Sequence, residues 1–346
     1  MRVRVLGSAA GGGCPQWNCA CETCRRGHVR SQDSVAVSGD GRAWYLINAS
    51  PDIRTQLIAT PELRPGPGLR ETPLRGVLLT TAELDHTIGL LSLREATSLI
   101  VYATSAVTTA LAPFRALLAA YTNAEWRDLP TDLTLDGGLK VQRTTVGTKR
   151  PRYAAHLPGD DWVSALRLSA HPADGAHPAG GVRPSSGAGP AGGVGPSTGA
   201  DSAGGVGPST GAGPAGGVGP SSGAGPAGGV GPSNGADSAG GAAPAPGEGR
   251  HPEFVYATCL PAWTAEFDGF IAGADEVLVD GTFATEDELA RMTGRAGSAA
   301  GMGHLPMADS RPHFARHPGT RFRYGHLNNT NAATGPDVAE DGIDLV

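Results

Sequence analysis

The stretch Gly76-Val77-Leu78-Leu79-Thr80-Thr81-Ala82-Glu83-Leu84-Asp85-His86-Thr87-Ile88-Gly89-Leu90 decides how the rest of the chain reads. Residues 76–80 are a short continuous apolar run, the pattern of a buried strand. In the extended segment that follows, side chains at Thr81, Glu83 and Asp85 can point one way. His86 opens a segment, residues 86–98, in which Ile88, Leu91 and Glu95 recur at helical spacing. Carboxylates and an imidazole at the carboxyl end of a buried strand suit a hard or borderline cation. The same residues also serve as caps and surface groups, so a metal reading needs partners from elsewhere in the chain.

Outward from that stretch, strands dominate the first half. Residues 2–6 read as an opening strand, and residues 35–38 and 44–48 form a hairpin about Gly39-Asp40-Gly41. Ser50-Pro51-Asp52 supplies an N-cap, a proline at the first helical position and an acid in the first turn, predicting a helix to about Ala59. Further strands are predicted over 100–103, 139–145, 163–168, 254–257 and 277–279, and helices over 263–271 and 286–292. Strands that give way to alternating strands and helices make this a layered α/β protein.

Composition hides two populations. The 346 residues include 53 Gly and 28 Pro, but residues 173–244 are six copies of a twelve-residue unit holding 25 of those Gly, 10 of those Pro and no aromatic residue. Each unit offers at most one Val, so stacked copies would bury almost nothing, and a flexible loop is expected rather than a solenoid. Closing a 72-residue loop rather than a six-residue one costs about 2 kcal/mol, which a sizeable domain tolerates. Residues 1–172 and 245–346 are therefore expected to form one domain, with 173–244 inserted in a β-hairpin loop.

The net charge of −6 argues against a broad nucleic-acid footprint, and no apolar run is long enough to span a bilayer. The N-terminal segment alternates charge with apolar residues instead of forming a signal-peptide core, so a cytoplasmic location is expected. No nucleic acid and no membrane are expected as partners, and a homodimer is entertained.

Five cysteines are an odd number, and three crowd into Cys19-Ala20-Cys21-Glu22-Thr23-Cys24. Three thiolates within six residues can wrap a tetrahedral zinc, which needs one further ligand; His326, Asn329 and His28 are the candidates. Such a closed, cysteine-rich site is expected to serve folding. Further chemistry-bearing residues lie late in the chain: Asp280 after an apolar strand, His304 in a Gly-Met-Gly-His loop, and His326 before Asn328-Asn329-Thr330-Asn331. The glycines at 7 and 11–13 lack the spacing of a phosphate loop or dinucleotide turn, no G-x-S-x-G elbow is present, and Cys259 reads as a lone buried thiol.

Several runs resemble the coenzyme PQQ synthesis protein B family. They are Val5-Leu6-Gly7-Ser8-Ala9-Ala10-Gly11-Gly12-Gly13, Pro15-Gln16-Trp17-Asn18-Cys19, Asn48-Ala49-Ser50-Pro51-Asp52-Ile53-Arg54, Asp85-His86-Thr87, Leu278-Val279-Asp280-Gly281-Thr282, Met302-Gly303-His304-Leu305 and His326-Leu327-Asn328-Asn329-Thr330-Asn331. The resemblance runs in order to about residue 331 and returns at Asp341-Gly342; it is poor over 105–160 and absent from the repeat. It implies the metallo-β-lactamase fold, an αββα four-layer sandwich. In the metal signature of that superfamily, His-x-His-x-Asp-His, Thr81 and Glu83 replace the first two histidines, while Asp85 and His86 remain. Asp280 falls at the later acidic position and His326 at the final histidine; His156 is the candidate for the intermediate one.

Two missing histidines remove much of a dizinc hydrolase site. Glu83, Asp85, His86, Asp280 and His326 instead resemble the mixed shell of a non-haem iron oxygenase. The resemblance implies a role in pyrroloquinoline quinone biosynthesis: iron- and O2-dependent hydroxylation of the tyrosine ring in a cross-linked Glu–Tyr precursor derived from a small peptide. Zinc on the cysteines and iron in the active site are the implied cofactors. A carrier for the quinone or its precursor and a metal-dependent hydrolase are the alternatives. His304 is expected as an acid/base or substrate contact and Arg54 as a partner for substrate carboxylates, both with catalytic roles. Cys14 and the short stretch after Asn331 depart from the family pattern, which also allows a paralogue that has kept fold and zinc but lost activity.

Overall fold

A computed structural model describes residues 1–170 and 251–346. The repeat at 173–244, with its predicted flexible loop, lies outside the described residues. Two six-stranded mixed sheets carry the fold. The first runs in chain order through β1 (Arg2–Gly7), β2 (Ser34–Ser38), β3 (Trp44–Ile47), β4 (Leu74–Leu78), β5 (Ser98–Ala103) and β6 (Asn123–Asp128). The second is β7 (Asp132–Leu135), β8 (Leu139–Gly147), β9 (Val163–Ala170), β10 (Glu253–Ala257), β11 (Glu276–Asp280) and β12 (Arg321–Gly325). In each sheet antiparallel strands come first and parallel ones last, with β3 to β6 and β10 to β12 parallel.

Alternation along the strands explains the layers, because successive side chains leave opposite faces of a sheet. Val35, Val37, Tyr45, Ile47 and Leu78 of the first sheet share one buried cluster with Leu166, Leu168, Phe254, Tyr256 and Leu278 of the second. The intervening residues point outward under helices. Trp44, Leu46, Val77 and Val101 are buried with Ile53, Val107 and Leu118 from helices Ile53–Ala59, Ser105–Ala110 and Ala112–Ala119. On the other side, Val255, Val277 and Val279 are buried with Phe267 and Ile271 of helix Ala265–Ile271 and with Met307. Helix, sheet, sheet, helix is the αββα arrangement of the metallo-β-lactamase fold.

Two expectations change. The segment 86–98 is not one helix: a single turn, Leu84–Thr87, passes into a 3₁₀ stretch, Ile88–Leu93. The reason is a competing hydrogen bond, for the His86 carbonyl accepts the Ala49 amide (2.7 Å) and Gly89 donates to the Ala49 carbonyl (3.0 Å). A Cβ on Gly89 would lie 2.1 Å from the Ser50 carbonyl oxygen, so only glycine permits this approach. Nor does Ser50 cap the following helix, which begins at Ile53; its hydroxyl donates to Gln56 (2.9 Å), while the Asp52 carboxylate accepts from the Gln32 amide (2.8 Å). Strands β6 and β7 and the helices of residues 105–119 escape the sequence reading altogether.

The chain's end returns to its beginning. Asp341 accepts from the amide and hydroxyl of Ser8 (2.9 and 2.8 Å) and from those of Ser31 (2.6 and 2.7 Å), and Gly342 donates to the Val5 carbonyl (2.7 Å). The closing segment thereby fixes both flanks of the loop that carries the cysteines.

Candidate metal centre

Two clusters of metal-ligating side chains stand out. Cys19, Cys21 and Cys24 sit on the loop between β1 and β2 and on the short helix Glu22–Arg25, with their sulfurs all within 4.8 Å of one another. Of the three fourth-ligand candidates, only Asn329 comes close. Its side-chain amide is 3.5 Å from the Cys24 sulfur and 3.8 Å from that of Cys21, and its carbonyl oxygen is 3.5 Å from Cys21 Sγ. His326 belongs to the other cluster, and no contact places His28 among the sulfurs. Burial alone would raise the Cys24 thiol, but donors from the Gln16 amide, Asn329 and the neighbouring thiols outweigh it and lower its pKa. Burial raises Cys21 and, with the adjacent Cys24, raises Cys14 as well. Three convergent sulfurs, one of them favoured as thiolate, fit a soft tetrahedral cation.

The second cluster forms where strand ends of both sheets meet. Thr81–Asp85 follow β4, Cys259 follows β10, Asp280 ends β11, and His326 follows β12. This placement at the carboxyl ends of parallel strands is where open α/β sheets gather ligands. The His326 ring is delivered by a left-handed backbone (φ 58°), a conformation that strains a non-glycine residue and here turns the chain abruptly out of the strand. Gly11 lies so near that a Cβ there would be 3.1 Å from an Asp85 carboxylate oxygen.

Hydrogen bonds assign the ring nitrogens. Thr81 Oγ1 contacts His86 Nδ1 (3.0 Å), leaving Nε2 fully buried and without a partner. Thr282 Oγ1 contacts Nδ1 of both His326 (2.9 Å) and His304 (3.0 Å), and His326 Nε2 faces Asp85 (3.2 Å). Asp280 is saturated: one oxygen accepts from the amide and hydroxyl of Thr282 (2.9 and 2.7 Å), the other from the Leu260 amide and His304 Nδ1 (both 2.8 Å). Each histidine is thus held through Nδ1, which leaves Nε2 of His86 without a hydrogen-bond partner and turns that of His326 to Asp85, the arrangement in which outer partners orient metal-binding rings. Burial works against the charge of Asp85, yet His86 and His326 beside it hold its carboxyl well below the usual carboxylate range. The pairing with Asp85 likewise raises His326 against its burial, whereas burial prevails at His86 and lowers it.

The donor groups that converge are His86, Cys259 and His326, and Asp280, His304 and His326. Asp85 joins through His326. Glu83 does not join: its amide is taken by Thr81 Oγ1 (3.1 Å) and its carboxylate reaches out to Lys149 (3.7 Å) at the cavity rim. Thr81 orients a ring where a signature histidine would ligate. His304 sits within the donor cluster through its bond to Asp280, which ties it to the metal residues as closely as to any acid/base role. Arg54 is exposed on helix Ile53–Ala59 and lines no part of the cavity, and His156 is exposed outside both clusters. Cys259 is more than a lone thiol; burial and the charges of Asp280 and Asp85 push its pKa well up.

The cluster opens on a cavity of about 660 Å³. Asp85, His86, His304 and His326 line it, together with Lys149, Arg150, Arg152 and Tyr153. Tyr153 is anchored to the Ala82 carbonyl (2.5 Å), and the Arg150 guanidinium lies 5.8 Å from the centre of the Trp162 ring. These cations were missed because they lie in the stretch whose sequence is least familiar. A basic Lys-Arg-Pro-Arg run so close before a buried strand was the available signal.

Residues 43–175 match the beta-lactamase superfamily domain model. Coenzyme PQQ synthesis protein B of Methylococcus capsulatus is 43% identical over 172 residues, 45% of this chain and 57% of that protein. The protein of the same name from Bradyrhizobium diazoefficiens is 58% identical over 110 residues, 30% of this chain and 36% of that one. The chain therefore aligns with only about a third to just over half of the length of these relatives. Among solved structures, Zn(2+)-bound PqqB from Methylobacterium extorquens superposes with a TM-score of 0.70 at 25% identity, covering 100% of both chains. Among the described residues no helix is long and apolar enough to cross a membrane.

Proposed function

The chain belongs to the coenzyme PQQ synthesis protein B family of the metallo-β-lactamase superfamily, and from that premise we propose that it acts in pyrroloquinoline quinone biosynthesis as a metal-dependent hydroxylase. The substrate of this reading is the cross-linked Glu–Tyr precursor, hydroxylated on its tyrosine ring with O2. The observation that carries it is the donor set on the cavity: His86 Nε2, fully buried with no partner, beside His326 Nε2 and the Asp85 carboxylate. Two imidazoles and a carboxylate on an open cavity form the set used by non-haem iron oxygenases. A dizinc hydrolase is disfavoured because Thr81 and Glu83, at two signature positions, are turned to other partners.

Zinc is assigned to Cys19, Cys21 and Cys24 with Asn329, as a support for folding. Iron held by His86, His326 and Asp85 would supply oxygen activation. The protein's own residues do the rest. Thr81 and Thr282 fix the rings, Asp280 fixes His304, and His304 faces the cavity as the group placed to hold or move a proton. Lys149, Arg150 and Arg152, rather than Arg54, are the cations placed to take substrate carboxylates, for which a guanidinium fork is well matched.

Metal analysis of the full chain purified without oxygen, followed by an oxygen-uptake assay with a cross-linked Glu–Tyr peptide, tests the proposal. One zinc per chain and iron-restored turnover are expected. Zinc alone, with tight binding of the quinone or its precursor and no turnover after iron is added, is the outcome of a carrier and would end the hydroxylase reading.

A further inference from the structure

Asp33 immediately precedes β2 and stands behind His86, and the sequence reading passes over it. Its side chain is 1% exposed. One oxygen, Oδ2, accepts from Tyr256 (2.5 Å) and Thr258 (2.7 Å), and Tyr256 is in turn held by Asn48 (2.8 Å). The other, Oδ1, has no hydrogen-bond partner among the described residues, and neither has the equally buried Nε2 of His86. Among the described residues no arginine or lysine pairs with this carboxylate; the group facing it is the His86 ring, whose Nε2 lies 3.7 Å from Oδ2.

Two orphaned polar atoms in adjoining buried side chains call for a common explanation, because a buried donor or acceptor is rarely left without a partner. A direct hydrogen bond is ruled out by the 3.7 Å separation. That separation is, however, close to the roughly 3.4 Å expected between nitrogen and oxygen atoms that share one tetrahedral ion at about 2.1 Å each. Buried carboxylates without a cationic side chain are otherwise found paired with a metal.

We propose that Asp33 is a carboxylate ligand of the metal held at His86, filling a place that Thr81 and Glu83 leave open. The acid comes from the strand end of β2 instead of from the signature segment, so the ligand has changed strands while the ion's position is kept. The Tyr256 and Thr258 hydroxyls fix Oδ2, and the carboxylate with it, 3.7 Å from His86 Nε2, as outer hydrogen bonds fix a ligating carboxylate.

This rests on the metal-centre reading above, and one titration separates the two. The zinc-loaded full chain is titrated with Co(II) without oxygen, for the wild type and Asp33→Asn, following the visible absorption of the bound ion. The expected result is a wild-type cavity site whose affinity falls about tenfold or more in the variant, with an altered spectrum and unchanged zinc content. Equal affinity and an identical spectrum in Asp33→Asn overturn the assignment of Asp33 alone. No bound Co(II) in the wild type overturns the metal centre with it. Should Asp33→Asn fail to fold, wild-type crystals soaked in Mn(II) decide: an Asp33 oxygen at about 2.1–2.2 Å from the ion supports the assignment, and an ion seated on the histidines with Asp33 out of reach contradicts it.

Discussion

The two ligand clusters are built in opposite ways. The cysteine site takes its three sulfurs from six consecutive residues, and the Asn329 amide reaches them from afar. The cavity cluster draws its side chains from several strand ends: Asp85 and His86 after β4, Cys259 after β10, Asp280 at the end of β11, His326 after β12 and, by the inference above, Asp33 before β2. A local site can form as soon as its loop does, and it closes around its ion. A distributed site exists only when both sheets are in register, and it opens on a cavity. The first arrangement suits stability; the second suits chemistry.

That contrast predicts a graded set of effects. The largest is expected at the cysteines, where Cys24→Ser should release the zinc and lower stability by about 4 kcal/mol, read as a large fall in thermal midpoint and in zinc content together. A variant that keeps its midpoint would reduce the cysteine site to an ornament. Next comes His326→Asn, chosen because asparagine tolerates the left-handed backbone. It should leave the fold and the cysteine-bound zinc intact while removing the cavity metal and at least about 100-fold of turnover.

Thr282→Val tests the outer support. Its hydroxyl reaches Asp280, His304 and His326 at once, so its loss should weaken cavity-metal affinity by about 10–100-fold with circular dichroism unchanged. The smallest effect is expected from Arg152→Ala in the cavity lining. It should raise KM by about tenfold for a carboxylate-bearing substrate with little change in kcat, the pattern of lost uniform binding. A fall in kcat instead would draw Arg152 into the chemistry.

How much of this was legible in the sequence follows the same division. Local features read well. The cysteine triplet, the apolar runs of β4, β10 and β11 and the Asp85-His86 pair all announce themselves within a few residues. Features set by tertiary contact did not. Strand β6 is an edge strand of sequence Asn-Ala-Glu-Trp-Arg-Asp with no buried residue, so no apolar periodicity marks it. The helix expected over 86–98 broke because Ala49 takes the His86 carbonyl, a contact between distant segments. Arg54 looked suitable beside a familiar motif, but the register of its helix turns it to solvent. Asp33 carried no local signal at all, since its meaning comes only from the His86 ring that another strand brings against it.

The central claim is that the two clusters are independent metal sites with different tasks. It is tested most directly by counting zinc and iron in the anaerobically reconstituted wild type and in His326→Asn. Two metals per wild-type chain, with iron alone lost in the variant and the protein still folded, is the result the account predicts. A single metal in the wild type, or loss of both from His326→Asn, would contradict it.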